Sequence, residues 1–202
     1  MSESDHGSTT LTWTAEIDRL LASWCDEAKC FEWMHTEAYT DYDKRARQIM
    51  ITSNVLTAIV GLSNVIAGGQ AINGFQLAWI FGGFSVAVSI TNMLQEKLGY
   101  ATKATEHLQY ATQWSSVRRR IEEQVAIPWS ARKDCGTFLK YVRTDIDAVS
   151  KDGNIKIPER VRKACYDRFS KIQGFDVPDI CGDLEHTRVY VVAAEPLLSP
   201  PS

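Results

Sequence analysis

The pattern with most chemical content lies in a stretch that carries no charge. Between Arg47 and Glu96 there is no Asp, Glu, Lys, Arg or His. Inside it, Asn54, Thr57, Gly61, Asn64 and Gly68 recur at steps of three and four. Further on, Ala78, Gly82, Ser85, Ser89 and Asn92 do the same, and Glu96 continues the row. On a helix each set makes one stripe of small or polar side chains on an otherwise apolar surface. Such stripes do two kinds of work in lipid. Small residues let helix backbones approach closely, and Asn, Ser and Thr cross-link helices through hydrogen bonds of about 0.6–2 kcal/mol each. Alternatively, a stripe lines a water-filled path between several copies. These residues are therefore the expected pore-lining or helix-packing set.

Other candidate chemistry is sparser. Asp152-Gly153-Asn154-Ile155 with Glu159 has the outline of a calcium loop, with Gly153 as the sixth position and Glu159 as the twelfth. The first and third positions would be Ala148 and Ser150, and Pro158 interrupts the exit, so an interhelical turn is expected there and no metal. Cys25, Cys30, Cys135, Cys165 and Cys181 contain no CxxC pair, which leaves zinc unsupported. Arg118-Arg119-Arg120 reads as a solvated face or as partners for Glu122 and Glu123. Asp145 and Asp147, two apart on a helix, point to different sides and make no acid/base pair. There is no GxGxxG, GxxxxGK[ST], HExxH or GxSxG, so neither catalysis nor a cofactor is expected.

The elements that position these residues follow from the hydrophobic pattern. Ile49–Ala67 and Phe75–Leu94 are each about 19–20 residues long, enough for a helix to cross a hydrocarbon core of roughly 30 Å. A charge at mid-membrane costs roughly 2.5–3.5 kcal/mol, which is why a bilayer selects against it. Gly68 to Gly74 supply a turn between the two spans. Lys44, Arg45 and Arg47 precede the first span, Lys97 and Lys103 follow the second, and the connecting loop is uncharged. Both termini are therefore expected in the cytosol. Met1 to Thr10 is polar, with no apolar run behind it, so no secretory signal peptide is expected. On the reducing side of the membrane the cysteines should be free thiols.

Before the first span, Ile17, Leu21, Trp24, Ala28, Phe31, His35, Ala38, Tyr42 and Ile49 keep a helical period, and no Pro or Gly occurs from Leu11 to Val60. One helix should start near Trp13 and run unbroken into the first span. The second span should leave the same way, through Leu98, Leu108, Trp114 and Ile121, and stop before Pro128. Two such helices joined by a short loop form an antiparallel hairpin with a coiled-coil-like cytosolic stalk. With the turn near Asn73, residue numbers that add to about 143 should face each other: Asn54 with Ser89, Gly61 with Gly82, His35 with His107.

The expected organisation is a disordered N-terminus over 1–12, the hairpin over 13–127, a small cytosolic helical region over 128–174 and an extended C-terminal tail over 175–202. In the helical region, Ser130 should cap a helix that buries Cys135, Phe138, Val142, Ile146 and Val149. Pro158 should open another that turns Val161, Ala164, Cys165, Phe169 and Ile172 inward and closes at Gly174. Val189 to Ala194 reads as a short strand. The fold class is all-α, a two-transmembrane antiparallel helical hairpin. The whole-chain averages, 22 Lys+Arg against 25 Asp+Glu with 10% aromatics, exclude a basic nucleic-acid binder and a disordered chain.

This layout resembles the SLATT superfamily, two-transmembrane proteins proposed as membrane effectors. The resemblance rests on a long first helix with Trp24, Cys30-Phe31, His35 and Tyr42, two closely spaced spans, and a helical exit with Tyr100, Ala101, Ala104 and Trp114. It covers roughly Leu11 to Gln124. The chain is similar in particular to stand-alone versions encoded by large DNA viruses of algae and protists, where Ile180-Cys181-Gly182-Asp183-Leu184-Glu185-His186 matches a tail element. The resemblance implies no catalytic residue. It implies an oligomer that perturbs the lipid bilayer as a pore, with the Asn54 and Ser89 stripes as its lining. The alternative is a non-enzymatic membrane scaffold, viral or host-directed, whose cytosolic stalk binds a protein partner.

Overall fold

A chain without helix breakers forms one very long helix. The computed structural model describes residues 11–67, 71–72, 75–151 and 155–182, and the side-chain surroundings of those outside 63–81. Helix α1 spans Ala15–Ala67, about 80 Å at 1.5 Å per residue. Thr14 opens it, with its carbonyl accepting from the Asp18 amide at 3.1 Å. Glu16 and Asp18 in the first turn suit the positive end of the helix dipole.

The reversal is a minimal antiparallel ladder, β1 (Ala71–Ile72) against β2 (Phe75–Gln76), with Ala71 opposite Gln76 and Ile72 opposite Phe75. Helix α2 (Leu77–Leu98) and helix α3 (Tyr100–Val125) return along α1. The expected unbroken exit is therefore corrected: Gly99, at φ +58°, divides it. That left-handed conformation costs other L-residues roughly 1–2 kcal/mol, so the break falls on the glycine.

A 3-10 turn at Trp129–Ala131 leads to α4 (Cys135–Lys151) and α5 (Glu159–Phe169). Asp134 caps α4 where Ser130 was expected to, its carboxylate accepting from the Thr137 amide at 2.8 Å. Ser130 lies inside the 3-10 turn. Helix α4 buries Cys135, Phe138, Val142 and Val149 as its period demands, with Ile146 packed beside them. Helix α5 buries only Val161 and Cys165, with Phe169 half-buried, whereas Ala164 and Ile172 are exposed. A short helix covered from one side by α1 has room for a single inward stripe. The turn at 152–154 and the expected strand at Val189–Ala194 lie outside the described residues.

The architecture is thus the expected all-α one. Among the described residues no helix is long and apolar enough to cross a membrane. The described side chains stop at Leu62 on α1 and resume at Gly82 on α2.

Two cores hold together the end of the hairpin remote from the turn, on different faces of α1. In the first, Leu21, Cys25 and Ala28 meet Trp114, Val117 and Ile121 of α3 and Phe138, Val142 and Val149 of α4. In the second, Cys30 and Met34 meet Val161, Cys165 and Cys181, under Trp33, Phe169 and Phe175. Arg132 locks the first core at its end. Its guanidinium donates to the carbonyls of Ile127 at 2.8 Å and Val125 at 3.0 Å, pairs with Asp18, and lies 4.8 Å over the Trp13 ring. It thereby satisfies carbonyls at the end of α3 while tying them to the start of α1. Burial raises the Asp18 pKa, but hydrogen bonds from Arg132 and Trp129 outweigh it and leave the carboxyl below its ordinary value.

Because the Arg132 side chain is 4% exposed, its truncation strands a carboxylate and two carbonyls. Arg132→Ala should destabilise the fold by about 3 kcal/mol, seen as a lower thermal midpoint by circular dichroism, whereas Arg119→Ala on the exposed face should leave it unchanged.

Candidate functional site

The charge-free part of the hairpin has a seam of its own. On α1, Ile49, Ser53, Leu56 and Val60 turn toward α2, and Val88, Thr91 and Gln95 answer from α2. Ser53 is buried and donates through Oγ to Asn92 Oδ1 across the two helices. The predicted stripes lie one residue further along, Asn54, Thr57 and Gly61 beside Ser53, Leu56 and Val60, and Ser89 and Asn92 beside Val88 and Thr91. One residue rotates a helical position by about 100°, which carries the stripes out of the seam.

Asn54, Thr57, Gly61, Gly82, Ser85, Ser89 and Asn92 are accordingly all exposed. Asn92 is bonded across the seam to Ser53. The expected appositions of Asn54 with Ser89 and of Gly61 with Gly82 are not formed: a Cβ placed on either glycine would meet nothing within 4 Å. Thr57 Oγ1 donates back to the Ser53 carbonyl at 2.8 Å, and Ser89 Oγ to the Ser85 carbonyl at 3.0 Å. The side chains of Asn64 and Ala78, and residue Gly68, lie outside the described set. Around the stripes the surface is apolar. Ile51 is 56% exposed, Leu62 63% and Val86 60%, with Val55, Ile59, Phe84, Ile90 and Met93 also outward.

Further along the hairpin, His35 and His107 meet as their numbering predicts, Nδ1 to Nδ1 at 2.9 Å, both buried. Tyr110 stacks on His35 at 5.3 Å and Tyr42 on His107 at 5.4 Å. One ring must donate and the other accept, since two imidazolium rings would oppose N–H to N–H. Burial pushes the His35 pKa down to about 4, with the neighbouring His107 adding to it, and burial lowers His107 as well. The pair is neutral near pH 7 and serves as a polar rung in the stalk. Beside it, Phe31 stacks on Trp114 at 4.7 Å.

The charged residues of the stalk are used structurally. Arg118 pairs with Glu32 at 2.6 Å and Glu122 at 2.8 Å, and Arg120 pairs with Asp145 and lies 4.6 Å over Tyr141. Three thiols gather in the second core, a convergence that spacing along the chain does not reveal. Cys181 Sγ lies 3.5 Å from Met34 Sδ, and Cys165 packs with Cys181 and Cys30. Proximity to the Cys181 thiol favours the Cys165 thiolate, but the neighbouring Cys30 thiol and burial outweigh it and push Cys165 up to about 12. All five cysteines are free and buried. Among the described residues no group of His, Cys, Asp and Glu is arranged to hold a metal ion.

No protein-family model, curated protein or solved structure matches the chain.

The histidine pair has a pH signature. An unfolded histidine takes up a proton below about 6.5, while the folded His35 resists it down to about 4, so the unfolded state binds more protons in that window. Stability should be complete above the window and fall through it as the pH drops. In thermal melts, His35→Gln with His107→Gln should flatten this slope relative to the parent chain. The thiols give a second check. At pH 7.5 iodoacetamide should modify Cys30, Cys165 and Cys181 at least about tenfold more slowly in the folded protein than in urea, followed by peptide mass spectrometry.

Proposed function

We propose that the chain is a two-span membrane protein of the SLATT kind, whose hairpins associate side by side into an oligomeric pore or channel, with both termini in the cytosol. The observation that carries this reading is the outward surface of the charge-free block. Large apolar side chains are exposed on both helices, as lipid tails favour and water does not. Asn54, Thr57, Gly61, Gly82 and Ser89 of the stripes are exposed on the hairpin surface, where a second copy can reach them. Two helices enclose no lumen, so conduction requires several hairpins, with Asn54, Thr57 and Gly61 or Ser85 and Ser89 facing the water. Nothing in this reading needs a cofactor, a metal or a catalytic residue.

A second reading is a non-conducting anchor or scaffold whose stalk binds a cytosolic partner. It is favoured by the way α4 and α5 buttress α1 and α3 into a firm body beyond the apolar block. Leak assays separate the two. Reconstituted into liposomes, the protein should release ions, and Asn54→Leu or Ser89→Leu should reduce the flux about tenfold without reducing incorporation. Incorporation without any leak would replace the pore by the anchor. A monodisperse protein that stays in the supernatant without detergent would overturn both.

A further inference from the structure

The stalk contains a cavity that neither the hairpin surface nor the histidine pair explains. It has a volume of about 430 Å³ and opens between α1, α3, the end of α4 and the segment leading into α5. Its floor is aromatic, made by the stacked pair Phe31 and Trp114 and by His35 under Tyr110. Ile155 and Ile157 make an aliphatic wall. Lys156 and Arg162 also line it, and among the described residues no carboxylate does. Lys156 is exposed at the rim, whereas the Nε of Arg162 is buried and has no hydrogen-bond partner among the described groups.

The Arg162 guanidinium lines the cavity near Lys156, and its charge-assisted donors favour an anion there. His35 is neutral near pH 7, so among the described lining residues the fixed charge comes from Lys156 and Arg162. The size is that of a small-molecule site, lined as such sites are by apolar surface with a few polar groups.

We propose that this cavity binds a small aromatic anion. Its ring would lie against the Phe31–Trp114 floor and its carboxylate or phosphate head would pair with Arg162 and Lys156. Carboxylate and phosphate share this chemistry, and the choice between them is an outcome of the test. The site is separate from the charge-free block and does not depend on whether the hairpin conducts.

The test uses the full chain in detergent micelles, titrated by calorimetry with 1-naphthoate, 1-naphthyl phosphate, 1-naphthylmethylamine and inorganic phosphate. At least one naphthyl anion should bind saturably, and the tighter of the two identifies the head group. The amine, which carries the same ring with the opposite charge, and inorganic phosphate, which has no ring, should bind at least tenfold more weakly. Arg162→Gln and Lys156→Gln should each weaken the naphthyl anion at least fivefold. Lys156 lies at the exposed rim, so its variant keeps the test open even if Arg162→Gln perturbs the fold. Equal binding of amine and anion, affinities unmoved by both substitutions, or no saturable binding at millimolar concentration would each overturn the proposal.

Discussion

The antiparallel closure of α1 on its returning partner is the constraint on which the rest of this structure depends. A helix about 80 Å long has no means of burying its own apolar residues. Leu21, Cys25 and Ala28 leave water only because Trp114, Val117 and Ile121 come back past them in a fixed register. That register brings His35 to His107 and Arg118 to Glu32. It also makes the platform on which α4 and α5 settle, one on each side. With the pairing shifted by a turn, the histidine pair and the cavity above Phe31 would lose their members together.

Much of this was legible from residue types. The absence of Pro and Gly from Leu11 to Val60 gave the long helix, and the position of the turn gave the His35–His107 meeting. The period of α4 gave its buried face. What escaped were features decided by a small angle or by three-dimensional convergence. The packing seam and the polar stripe differ by one position in sequence, and a hydrophobicity pattern with Ser53 in the seam and Asn54 outside it does not tell them apart. Cys30, Cys165 and Cys181 come from far-separated points of the chain, and only the docking of α5 on α1 unites them. Asp134 displaced Ser130 as the cap because the 3-10 turn at Trp129–Ala131 uses up the earlier residues.

The outward position of the stripes bears on energetics as well as on function. Had Asn54 and Ser89 faced each other, the hairpin would have met its polar needs internally and presented only apolar side chains. Instead, Thr57 and Ser89 satisfy their hydroxyls locally on their own backbones, which keeps them compatible with either lipid or a neighbouring helix.

Gly99 divides the return arm but leaves α1 whole. Side chains repeat along a helix with a fixed phase, so an unbroken arm would have to serve α1's charge-free half and its charged half with one continuous stripe. The left-handed residue resets that phase. Leu77–Leu98 and Tyr100–Val125 each choose their contact line independently, and one polypeptide thereby fits two neighbourhoods of unlike chemistry along one unbroken helix.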